Sequence, residues 1–200
     1  MSSKLLIAML AIGFTMGACS DDAEETIHNL RAAPDLQGSF YDECTSAKLL
    51  DASEQIQLSF EGNNYTRSQV FFSDPECTQE MGRIEYKGEF KAGDESEQTG
   101  GTLDLEVSEA KIKVTSDTLA KALNAINYCG HSDFAPDKEV TLSGAQTKGL
   151  CPLENVPVNL YTSYRLQDEN LVLSDSDITT MAKEPNARSS GTAQRTYIKQ

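Results

Sequence analysis

The chain has no tryptophan and only two histidines, His28 and His131. Imidazole is the side chain that titrates nearest neutral pH, so a sequence this poor in it offers few routes to acid–base catalysis. His131 stands in the run Gly130-His131-Ser132-Asp133. A triad needs nucleophile, base and orienting acid brought together in space, and three chain neighbours do not supply that geometry. The GxSxG turn, the P-loop, GxGxxG and HExxH are all missing. No cysteine pair has CxxC spacing, which removes the usual zinc and redox frameworks. Asp175-Ser176-Asp177 begins like a calcium loop, but Thr180 stands where glycine is required. The chain therefore reads as a non-enzyme, with no metal and no cofactor.

Positive charge is also short. Lys and Arg number 17 against 31 Asp and Glu, a formal net charge of -14. Such a surface repels phosphate backbones and argues against nucleic-acid binding. It argues equally against charge-driven docking on anionic lipid, so any membrane contact needs another cause. Nor does any apolar run approach the roughly 18 residues of a transmembrane helix.

What is present begins at the N-terminus. Met1-Ser2-Ser3-Lys4 is short and positively charged, and Leu5 to Phe14 is apolar, interrupted only by small residues. That is the length of a signal-peptide core. Met16-Gly17-Ala18-Cys19 follows, and it resembles the lipobox of bacterial lipoproteins, with Met16 in the place usually held by leucine. The resemblance implies cleavage between Ala18 and Cys19, making residues 1–18 a signal peptide. It also implies a Cys19 carrying three acyl chains (palmitate-type modification), where one chain alone would hold a bilayer only marginally. Ser20 rather than Asp after the cysteine implies the outer membrane. Residues 19–37 then read as the lipidated N-terminus and a flexible acidic tether, with Pro34 and no sustained periodicity. His28 falls in it as a solvated residue.

Cys44, Cys77, Cys129 and Cys151 remain, an even number in an exported chain, which implies disulfides. Of the three connectivities, Cys44–Cys77 with Cys129–Cys151 is preferred because each pair brackets a compact, contiguous segment.

Residues 38–200 read as one domain, mainly β. Gly38 to Tyr41 opens it as a short strand. Ile56, Leu58 and Phe60 alternate with polar residues; Glu61-Gly62-Asn63-Asn64 is a turn, and Tyr65 to Phe72 returns. Ile84, Tyr86, Gly88 and Phe90 alternate with Arg83, Glu85, Lys87, Glu89 and Lys91. Charges on an outer face are costly against lipid, so this sheet belongs in water rather than across a bilayer. The segment 93–101 reads as a solvated acidic turn. Leu103, Leu105 and Val107 share one phase and Ala110, Ile112 and Val114 the other, so Ser108-Glu109 needs either a bulge or a break between two strands, and a bulge is favoured because no turn residue sits there. One helix is expected from a Ser116 or Asp117 cap to Gly130, with Leu119, Ala122, Leu123 and Ile126 as its apolar stripe. Strands at 140–142, 156–166 and 171–173 follow, the last two joined by a turn at 167–170, with a further short strand at Tyr197-Ile198.

Gly38-Ser39-Phe40 at the domain start, antiparallel strands after it and a late arginine, Arg188 or Arg195, resemble the lipocalin (calycin) plan. Phe40 stands where that family has tryptophan, and the helix falls between strands rather than after the eighth. Cys44, Asp74-Pro75-Glu76-Cys77, Tyr86 and Gly88 are also similar to secreted barrels of the Wnt-inhibitor type. The resemblance implies an antiparallel lipocalin-like barrel, or a strongly curved sheet. Its function would be that of a binding module for a lipid or small hydrophobic molecule, with Phe60, Phe71, Tyr86 and Phe90 as wall residues. The alternative is a structural or protein-interaction lipoprotein of the envelope, its core filled by those same aromatics.

Overall fold

The structure, a computed structural model, describes residues 36–47, 52–93, 100–142, 151–153, 155–188 and 194–200. The leader, Ala18, Cys19, His28, the tether to residue 35 and most of the acidic turn (94–99) lie outside them. The described residues form ten strands: β1 Gly38–Tyr41, β2 Thr45–Ser46, β3 Ser53–Glu61, β4 Asn64–Phe72, β5 Glu80–Ala92, β6 Gly101–Val114, β7 Glu139–Thr141, β8 Val158–Gln167, β9 Asn170–Leu173 and β10 Arg195–Lys199. Every pairing is antiparallel, and β1 bonds both β10 and β3. The sheet therefore closes into an eight-stranded up-and-down barrel of β1, β3, β4, β5, β6, β8, β9 and β10. β2 and β7 are short additions on β3 and β6.

Local chemistry explains the register. Gly62, at a positive φ of 61°, turns β3 into β4 and sets Phe60 opposite Tyr65. Asp168 and Glu169 both have positive φ, 50° and 67°, as a two-residue hairpin loop between right-twisted strands requires. The bulge falls in β6 as the phase flip predicts: Lys87 faces Glu109 and Gly88 faces Val107, leaving Ser108 unopposed. A Cβ on Gly88 would come 1.7 Å from the Glu106 carbonyl oxygen, so the bulge is possible only where β5 has no side chain. From Arg83 to Lys91 the odd-numbered row of β5 faces out, with Arg83 on Glu80 at 2.5 Å and Lys87 on Glu85 at 3.0 Å.

The helix is shorter than the apolar spacing suggests. α1 spans Asp117–Ala125, capped by the Ser116 hydroxyl accepting from the Leu119 N–H. Asn127 adopts the left-handed conformation (φ 51°) and ends the helix three residues before Gly130, because asparagine tolerates that region almost as glycine does. Ile126 is consequently left 38% exposed, and Leu119, Ala120 and Leu123 form the buried face. The packed domain also begins just ahead of Gly38: Leu36 is buried, and Gln37 exchanges two side-chain hydrogen bonds with the Gly62 backbone.

Both disulfides form as expected, Cys44–Cys77 and Cys129–Cys151. They lie at one end of the barrel, where β1, β4 and β6 finish and β3, β5 and β8 start. α1 follows β6 at that same end. The opposite end is closed by the Gly62 and Asp168-Glu169 hairpins.

Candidate functional site

The two ends of the barrel are filled differently. At the hairpin end the ring of Phe60 meets Phe40, Tyr65 and Phe90 at centroid distances of 6.1, 5.6 and 4.9 Å. Those aromatics leave no room for a ligand, so Phe60 and Phe90 plug the barrel rather than wall a cavity. At the disulfide end lies a cavity of about 550 Å³. Ligand sites for small molecules span roughly 300–1,000 Å³.

Of the four expected wall residues only Phe71 lines this cavity, together with Ile56, Ile84, Tyr128 and Ile178 as its other large apolar side chains. The remainder is polar. Leu58 on β3 opposes Arg67 on β4, Ile56 opposes Gln69 and Glu54 opposes Phe71, so the inward row carries charge in place of aliphatic side chains. Arg67 is the deepest of these and only 3% exposed. Its guanidinium lies 5.5 Å from the centroid of the Tyr86 ring, a cation–π distance. Its Nε and Nη1 are buried without an acceptor among the described residues, and so is the Tyr86 hydroxyl. Burial pushes the Tyr86 phenol up to about 12, partly offset by the Arg67 charge, so it stays a neutral donor at physiological pH.

The neighbouring charges, by contrast, are engaged. Asp42, 2% exposed, forms an ion pair with Arg195 and accepts the Ile56 N–H at 2.6 Å. Burial raises its pKa, while the Ile56 N–H and the Arg195 and Arg67 charges pull it back down. Glu54 accepts from the Gln69 amide at 2.7 Å. Residues 175–180 also line the cavity, as a loop held by its own side chains. The Thr180 hydroxyl donates to Asp175 at 2.8 Å and the Thr179 hydroxyl to Asp177 at 2.7 Å. The segment that begins like a calcium loop is thus a self-bonded loop that lines the cavity. Cys151 lines the cavity beside Pro152, so the second disulfide ties the end of α1 to the cavity rim.

The remaining sequence candidates fall elsewhere. His131 packs edge-on to Phe134 at 6.0 Å and does not line the cavity. Of the two late arginines, Arg195 lies inside the barrel beside β1, whereas Arg188 stacks on Tyr161 and pairs with Asp104. Sequence reasoning missed Arg67, Asp42 and Glu54. The signal was available: the turn at Gly62-Asn63 fixes the β3–β4 register, and in that register residue 67 must face the same side as Leu58. No protein-family model matches the chain, and no curated protein matches it either.

Proposed function

We propose that this chain is a lipid-anchored lipoprotein of the bacterial envelope, held to the outer membrane through Cys19, whose barrel binds a small amphiphilic molecule at its disulfide end. The observation that carries the binding reading is the uneven filling: a barrel packed with aromatics at one end keeps about 550 Å³ open at the other. A cavity with apolar walls at Ile56, Phe71 and Ile84 and a polar floor at Arg67 suits a molecule with one apolar and one polar end. The lipobox resemblance supports the anchor, and the charged outer row of β5 supports a domain that sits in water beside the membrane.

Two experiments test the two halves separately. An environment-sensitive fluorescent fatty acid should gain emission on mixing with the oxidised Cys19→Ala protein and lose that gain in a Gln69→Trp variant, whose indole fills the cavity. No gain in the Cys19→Ala protein, or a gain unaltered by Gln69→Trp, removes the binding module and favours an interaction protein with a filled core. For the anchor, Cys19→Ala should move the protein from the membrane to the soluble periplasmic fraction. Continued sedimentation with membranes contradicts it.

A further inference from the structure

We infer that Arg67 receives the head of the ligand, and that the ligand is a carboxylate-bearing amphiphile which enters head first. This rests on the binding reading above and goes beyond it by naming the chemical class and the orientation.

The inference starts from an imbalance. Burying a guanidinium is costly unless its N–H groups find acceptors. Arg195, the other cavity arginine, has Asp42. Arg67 has none for Nε or Nη1 among the described residues, although Tyr86 supports its face. Glu54, Asp175 and Asp177 line the same cavity, and one oxygen of each accepts a hydrogen bond, from Gln69, Thr180 and Thr179 respectively. Arg67 itself lines the cavity, so its positive charge is presented at the cavity floor, where a negatively charged ligand group would meet it. A carboxylate answers it best, since a charge-assisted bond to guanidinium is about twice as strong as a neutral one.

The layout along β4 gives the orientation. Arg67 lies nearest the aromatic plug, Gln69 is one step towards the mouth, and Phe71 is at the rim. Four residues of strand span about 13 Å. A headgroup at Arg67 therefore places the following apolar segment between Ile56, Ile84 and Phe71.

Three ten-carbon probes separate head from tail: decanoate, 1-decanol and decylamine. Each is titrated into the Cys19→Ala protein, its disulfides intact, by displacement of the fluorescent fatty acid at neutral pH. Decanoate should bind about ten- to a hundredfold more tightly than decanol, the range that hydrogen bonds to a charged group supply. Decylamine should be the weakest. Arg67→Met should abolish the decanoate advantage while leaving decanol within about threefold, and Arg67→Lys should restore part of it. The probe series in the unsubstituted cavity stands even if Arg67→Met does not fold. Decanol equal to decanoate, or decylamine the tightest, overturns the headgroup assignment while the cavity reading survives. Failure of all three probes and of the fluorescent fatty acid overturns both.

Discussion

Arg67 and Asp42 are both buried to within a few per cent, yet they play opposite parts in stability. Asp42 is bonded on both sides, to Arg195 and to the Ile56 N–H, so removing its carboxyl group leaves both donors without their acceptor. Asp42→Ala should destabilise the fold by about 3 kcal/mol, as removing one partner of a buried pair does. It should also change the pH dependence. Burial raises the folded pKa of Asp42 above its unfolded value, so the native state holds that proton more tightly. Its contribution is full below the unfolded pKa, about 3.9, and is lost as pH rises through the folded value. Urea unfolding across that window should show a falling component that Asp42→Ala lacks; identical slopes in the two proteins would contradict it. Arg67 has unanswered donors instead. Arg67→Met should leave the ligand-free protein at least as stable, because an apolar side chain of similar length removes the unsatisfied group. Calorimetry reads this directly, and a loss of about 2 kcal/mol or more would mean that the guanidinium is structural.

Elements were legible where a local rule had no competitor. The Gly62 and Asp168-Glu169 turns and the alternation in β3 and β5 read directly, and of the bulge or break that the phase flip in β6 required the structure has the bulge. Gly88 explains why the bulge is tolerated, and Gly88→Ala should destabilise by about 3 kcal/mol or fail to fold, since the new Cβ meets the Glu106 carbonyl. A thermal midpoint within a few degrees of the parent would contradict that. The helix end was read too late because Gly130 is the stronger C-terminal signal by residue type, whereas Asn127 reaches the left-handed region first. The cavity was not legible for a different reason. Whether Phe60 and Phe90 plug a barrel or line it depends on which rings meet across the closed sheet, and period-two alternation is the same in both cases.

At the scale of the whole molecule, the covalent bridges gather where the packing is incomplete. The hairpin end holds itself by aromatic contacts, while the cavity end is held by two disulfides closing loops of 33 and 22 residues. By loop entropy each contributes about 3–4 kcal/mol. Reduction should therefore loosen the cavity end first: ligand uptake should fall in mild reductant before the cooperative unfolding measured by far-UV dichroism. Simultaneous loss of both signals would contradict the division into two halves. The same division supplies the most direct measurement. Decanoate titrated into the ¹⁵N-labelled Cys19→Ala protein should shift the backbone amides of Ile56, Gln69, Ile84 and residues 176–180, and leave those of Phe60 and Phe90 in place. No shifts, or shifts spread along the charged outer row of β5, would contradict a ligand site in the open half of the barrel.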